Sequence, residues 1–157
     1  RVLAIAATDR AKKVASFSSR GPGSEKTKKI PDYPHRPDSS APGYNTEGAW
    51  PADIGGADRT DPVQGPIRAI SGTSMATPAT AGALAFLAMM FGVTTVGENL
   101  DRVVNEYIKA LEKTGQGPDA EGDGFLAVEA AYQALEKVMQ PVAPSFVARL
   151  VLGTMGA

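Results

Sequence analysis

The sequence predicts an α/β protein in which helices flank a mainly parallel sheet. Three features carry this reading. Val2-Leu3-Ala4-Ile5-Ala6-Ala7 is a continuous apolar run closed by Thr8-Asp9, the pattern of a strand buried on both faces. Ala79 to Phe91 has almost no polar face, which places a helix in an interior. Two further stretches, about 98–113 and 127–139, carry apolar residues at helical spacing.

Composition narrows the class. At 157 residues the chain has the length of one ordinary domain and can bury a real core. Its apolar (43%) and charged (21%) fractions suggest neither disorder nor a fibrous class. A net charge of −1 gives no steering toward nucleic acid or an anionic membrane. Cysteine is absent, which removes disulfides, thiolate metal sites and a cysteine nucleophile together. No signal-peptide pattern opens the sequence. It starts at Arg1, without Met and directly before a strand-like run, and is expected to be part of a longer chain. The run from Ala79 to Phe91 is shorter than the roughly 20 residues a bilayer span requires.

Taken in order, Val2–Ala7 reads as a strand, although periodicity alone does not separate such a run from a buried helical segment. Val14-Ala15-Ser16-Phe17 is a second short strand candidate, ended by the loop Ser18-Ser19-Arg20-Gly21-Pro22-Gly23. From Ser24 to Asp38 the chain is polar, with Pro31, Pro34 and Pro37, and reads as a surface excursion. Lys26, Lys28 and Lys29 make a small basic cluster there, read as a solvated face. Ala41-Pro42-Gly43 reads as a tight turn and Tyr44 to Pro66 as loop. Ile67-Arg68-Ala69-Ile70 is a brief strand. Pro78 removes the N–H that would bond the Ser74 carbonyl, so the first turn of the central helix is expected to be loosened. Gly92 is its expected C-cap.

In the next helix Leu100, Val103, Val104, Tyr107, Ile108 and Leu111 share one stripe, with Glu106, Lys109 and Glu112 outside it. Thr114-Gly115-Gln116-Gly117-Pro118 stops it. Pro141 ends the last helix. Residues 1–140 are taken as one unit and 141–157 as a tail, whose Phe146–Leu152 run would be an apolar liability without a partner surface.

The remaining stretch, Ile70-Ser71-Gly72-Thr73-Ser74-Met75-Ala76-Thr77-Pro78, delivers one serine to the start of the apolar helix. Backbone N–H groups are unpaired there and the helix dipole favours negative charge. These conditions suit a nucleophile whose reaction passes through an oxyanion. The plainer alternative is an N-cap serine, worth about 1 kcal/mol to its helix.

Gly72-Thr73-Ser74-Met75-Ala76-Thr77-Pro78 resembles the catalytic-serine signature of the subtilisin-like serine peptidases, the subtilases. Four other segments follow in family order. Val2–Asp9 resembles the strand after the oxyanion-hole region, and Ala15–Pro22 is similar to the S-F-S-S-x-G segment. Arg36–Gly43 resembles K-P-D-x-x-A-P-G, and Gly122–Ala131 resembles the Gly-rich entry to the final helix. The resemblance implies that this chain is the C-terminal portion of a subtilisin-like doubly wound, mainly parallel sheet with flanking helices. It implies Ser74 as nucleophile with its own N–H as an oxyanion donor, and Thr73 in support. Ser71 would shape the turn and Met75 would pack behind the nucleophile, where oxidation would impair the site.

The family's other parts have no match. No Asp is followed by Ser-Gly or Thr-Gly, and the single histidine, His35, lies between Pro34 and Arg36 rather than in an H-G-T-H-V context. The family's oxyanion Asn and main S1-pocket segments would lie upstream. The partners the resemblance implies are an N-terminal part of the same protease carrying Asp and His, a peptide or protein substrate, and a propeptide. Nucleic acid and a membrane span are not expected, and secretion is the family's habit. The expected activity is a serine endopeptidase that forms an acyl-enzyme on Ser74, this chain being inactive alone. The alternatives are a non-catalytic binding or scaffolding module, or an esterase; the absence of a G-x-S-x-G elbow disfavours the esterase.

No cofactor is expected for the chemistry. Asp119, Glu121 and Asp123 alternate before a glycine as in a calcium loop, but the twelfth-position ligand of an EF-hand would be Ala130. A looser structural calcium site and a solvated helix-entry turn both remain open, and the resemblance supports the turn. An isolated C-terminal part should also leave apolar sheet surface uncovered.

Overall fold

The computed structural model describes residues 2–22, 36–49 and 67–142. The expectations for His35, for Lys26, Lys28 and Lys29, and for Phe146–Leu152 lie outside the described residues. Strand β1 is Ile5–Thr8, β2 is Ser39–Pro42, β3 is Thr46–Ala49 and β4 is Ile67–Ile70. The helices are α1 (Thr73–Met90), α2 (Glu98–Lys109), α3 (Pro118–Glu121) and α4 (Val128–Glu136).

Strands β1 and β2 pair in parallel, with Ile5 opposite Ser39 and Thr8 opposite Pro42. Isolated bridges extend the sheet on either side. Val14 meets Thr8 antiparallel, Ser40 meets Phe125 in parallel, and Phe125 meets Glu112 antiparallel. Strands β3 and β4 form a separate antiparallel pair whose residues are mostly exposed.

Strand β2 corrects the sequence reading, which had put Ala41-Pro42 in a turn. Ser39, Ser40 and Ala41 are fully buried. A strand without large apolar residues gives no periodicity to read. Its small side chains instead let α1 settle onto the sheet, where Ala7, Ala41 and Ala76 form one buried cluster. The two buried serine hydroxyls of β2 have partners. Ser40 Oγ donates to Gly124 O at 3.2 Å, and Ser39 Oγ lies 3.5 Å from the hydroxyl of Tyr107. Burial pushes the Tyr107 phenol up, against the hydroxyls of Ser39 and Thr80.

Other boundaries differ from expectation. The second strand candidate is reduced to a single bridge at Val14, with Ala15 N–H donating to Ala7 O. Strand β3 lies in what read as loop, because Thr-Glu-Gly-Ala acquires its extended form only by pairing with β4. Helix α3 was not expected. Helices α2 and α4 fall inside their predicted ranges, trimmed at the C-terminal ends.

Helix α1 runs unbroken through Pro78 for 18 residues, so the proline ring is accommodated without ending it. By length and composition alone it is long and apolar enough to cross a membrane. Its contacts are those of a core helix. Leu87 and Met90 pack with Val103 and Tyr107 of α2 and with Ala131, Tyr132 and Leu135 of α4. Gly92 closes it as expected, with φ +67°, its N–H donating to Met89 O and that of Val93 donating to Ala88 O.

The expectation that α1 is enclosed on all sides is corrected. Ala76, Thr80, Ala83, Leu87 and Met90 are buried, whereas Ser74, Thr77, Pro78, Ala81, Gly82, Ala85 and Met89 are exposed along one side. Met89 is 62% exposed. Among the described residues, exposed apolar side chains also lie on a strand, at Ile67 and Ile70 of β4.

Candidate active site

Ser74 is the second residue of α1 and is exposed to solvent. The residue at the N-cap is Gly72, and no side chain caps the helix. The Ser74 hydroxyl is therefore not spent as a cap, and the plainer reading of this serine fails. No acidic residue occupies the first turn. Among the described residues, no acceptor is found for the Ser74 N–H, so it remains one of the unpaired donors at the positive end of the helix dipole.

The turn is hung from the sheet by main-chain hydrogen bonds. Thr8 O, at the end of β1, accepts from Gly43 N–H and Tyr44 N–H, both at 3.0 Å. Gly43 O accepts from Gly72 N–H at 2.8 Å, and Gly72 O accepts from Met75 N–H at 3.1 Å. A Cβ on Gly43 would lie 2.7 Å from Ala7 Cβ and 2.7 Å from Gly72 O, so only glycine allows this approach. The A-P-G segment thus acts as the seat of the serine turn. Ser71 Oγ accepts from Asn45 N–H at 2.9 Å, which ties the start of the turn to the β3 side. Thr73 O accepts from Thr77 Oγ1 at 2.9 Å. Met75 Sδ lies 3.5 Å from the position a Gly72 Cβ would take, so this side chain packs against the turn.

Asp38, in the P-D of the same segment, is buried and holds the start of β1. It accepts from Ala4 N–H at 2.6 Å and from the Arg36 guanidinium, which also donates to Val2 O at 3.0 Å. Ser18 Oγ accepts from Ala7 N–H at 3.1 Å. The S-F-S-S and P-D segments therefore act as sheet anchors. Beside the site, Phe17 and Tyr44 stack with ring centroids 6.2 Å apart, both half exposed.

The three acidic candidates do not converge. Among the described residues no group of three His, Cys, Asp or Glu is arranged to hold a metal ion. Asp123 is exposed, 3.7 Å from Lys113 Nζ. Asp119 packs against Gly21, whose N–H donates to Asp119 O at 2.8 Å. Glu121 is only 2% exposed and its oxygens are already engaged. Oε2 accepts from Thr114 N–H at 2.9 Å and from the Thr114 hydroxyl; Oε1 accepts from Gly115 and Gln116 N–H, each at 3.1 Å. It is the anchor of the 114–117 loop, a role the alternating acid pattern concealed.

Burial alone would raise the Glu121 pKa. The Thr114 hydroxyl and the N–H groups of Thr114, Gln116 and Gly117 outweigh it and hold the carboxyl below its ordinary value. A depressed folded-state pKa contributes stability above the unfolded value of about 4.3, lost as pH falls through the folded one. Glu121→Gln is expected to be less stable at pH 7, by about 1–3 kcal/mol as the loop N–H groups lose acceptors. The gap to wild type should narrow on acidification; urea melts at pH 7 and pH 4 read it.

The likenesses to known proteins agree with this geometry. The peptidase S8, subtilase family pattern matches residues 1–116. The chain belongs to the subtilase family. Subtilisin-like protease SBT1.5 of Arabidopsis thaliana is 43% identical over 75 residues, 47% of this chain and 9% of that protein. Among solved structures, the Clostridium perfringens CspB protease is similar at a TM-score of 0.61 and 23% identity, over 86% of this chain and 27% of that one. Prenylagaramide maturation protease PagA is similar at 0.58 and 25%, over 85% and 42%. Fervidolysin from Fervidobacterium pennivorans, a keratinolytic enzyme related to subtilisin, matches at 0.59 and 22%, over 84% and 19%. The chain therefore spans less than half the length of each of these relatives, and its fold is that of part of a subtilisin-like α/β domain.

Proposed function

We propose that this chain supplies the nucleophile of a serine endopeptidase, with Asp, His and the oxyanion Asn contributed by an N-terminal segment of the same protease. The supporting observation is the state of Ser74, exposed at the N-terminus of α1 with its hydroxyl unspent as a cap and its N–H unpaired among the described residues. In the reaction Ser74 Oγ attacks the peptide carbonyl while the histidine of the companion segment takes its proton. Negative charge develops on the former carbonyl oxygen, which the Ser74 N–H and the α1 dipole would stabilise. Collapse expels the amine and leaves an acyl-enzyme, which water then hydrolyses. Thr73 and Ser71 hold the turn in register, and no cofactor enters the chemistry.

The exposed stripe Ala81, Gly82, Ala85 and Met89 continues from Ser74 along α1. The small side chains of Ala81, Gly82 and Ala85 permit close approach of the companion segment, which would place the base beside the serine and cover the apolar face, Met89 included. A propeptide and secretion, usual in the family, are part of the same proposal.

Fluorophosphonate labelling of the chain together with its companion segment tests the reading. The adduct is expected on Ser74 by peptide mapping, and on nothing in Ser74→Ala. Absence of label from a folded assembly carrying the D-[ST]-G and H-G-T-H motifs would favour the scaffolding module instead.

A further inference from the structure

We infer that Gln116 is a positioning residue for the serine site, closing by hydrogen bonds the strand edge from which the nucleophile's turn is suspended. The inference rests on the peptidase reading of Ser74.

Gln116 lies in the loop that Glu121 anchors, far from Ser74 in sequence. Its amide reaches across to the other end of the chain. Gln116 Oε1 accepts from Val14 N–H at 2.7 Å, and Nε2 donates to Lys12 O at 2.9 Å. Nε2 also donates to the Thr114 hydroxyl at 2.7 Å, so the side chain is fixed from both sides. These bonds satisfy main-chain groups that face away from the sheet. Without them, Val14 N–H would be an unpaired donor on a residue only 3% exposed.

The segment it holds abuts β1. Val14 bridges Thr8, and Ala15 N–H donates to Ala7 O at 2.8 Å. The preceding turn is tight, with Lys12 at φ +61° and Asp9 Oδ1 accepting from Ala11 and Lys13 N–H at 2.9 Å each. Thr8 is the residue whose carbonyl carries Gly43 and Tyr44, and Gly43 carries Gly72. A continuous series of contacts, begun by the Gln116 side chain and carried on by the main chain, therefore runs through Val14, Thr8 and Gly43 to the N-cap of α1. Loosening the first contact frees the Thr8 end of β1, and with it the height of the serine turn above the sheet.

The test uses the intact assembly and two variants. Gln116→Met keeps the volume and removes all three side-chain hydrogen bonds, whereas Gln116→Glu keeps an acceptor for Val14. In Gln116→Met, amide exchange at Val14 is expected to speed up about tenfold or more, as an unpaired buried donor would. The rate of fluorophosphonate labelling at Ser74 is expected to fall several-fold, and peptide kcat with it, while KM stays near wild type. Gln116→Glu should retain Val14 protection and recover part of the labelling rate. Unchanged Val14 exchange, or faster exchange with unchanged labelling, overturns the inference and leaves the peptidase reading intact. No labelling in the wild type overturns both.

Discussion

Ser74→Ala in the assembled protease is expected to lower kcat on the order of 10⁶-fold, the loss subtilisin itself shows when its nucleophile is removed. The size follows from the logic of a triad. The base has nothing to deprotonate and the oxyanion donors have no tetrahedral adduct to stabilise, so the members fail together. Stability should move by less than about 0.5 kcal/mol, because Ser74 is exposed and its side chain caps nothing. Steady-state peptide hydrolysis and a thermal melt on the same preparation check both halves. A variant that melts normally and still cleaves peptides at a comparable rate would remove Ser74 from the mechanism. One that melts well below wild type would restore the serine to a structural role.

Gly43→Ala is expected to be the most damaging small change around the site. The added methyl would stand 2.7 Å from Ala7 Cβ, 2.7 Å from Gly72 O and 3.0 Å from Ala76 Cβ. These atoms belong to β1, the serine turn and α1, and none is the end of a flexible side chain that can swing aside. Relief requires the turn to lift from the sheet, at a cost of about 1–3 kcal/mol or more. The lift stretches the Gly43 O to Gly72 N–H bond and moves Ser74 relative to anything on the facing segment. A displacement near 1 Å can cost about a hundredfold in rate. Urea denaturation should show the lost stability and labelling kinetics the lost reactivity. A variant matching wild type in both would show that the seat is not as tight as described.

Legibility tracked the source of each element's stability. Helices α2 and α4 were readable because their stripes (Leu100, Val103 and Tyr107; Ala131 and Leu135) repeat at helical period within one segment. Gly92 was readable because the left-handed cap needs a residue without a Cβ. Strand β2 was not, since Ser39, Ser40 and Ala41 are chosen for smallness against α1 and not for hydrophobicity. Strand β3 was hidden because its extended form depends on β4, beyond residues 50–66. Glu121 was misleading for a related reason. A buried carboxylate with four neutral donors and a solvated or metal-binding one look identical in sequence.

The sequence by itself determined the family, the serine proposed as nucleophile and the order of the segments around it, because G-T-S-M-A-T-P and its companions are local patterns with local constraints. It also determined that Asp and His of the triad have no matching motif in these 157 residues. Only the tertiary structure decided what the segments around the serine motif do. Asp38 and Ser18 pin β1, Gly43 seats the serine turn, and Glu121 fixes the loop through which Gln116 reaches Val14. Each of these contacts joins residues distant along the chain. Hydrogen-bond partners and close approaches at that range are set by how the layers pack, which no single stretch of sequence contains. The same holds for α1: its composition called for burial on every side, but packing covers one face and leaves Ser74 at the head of the other.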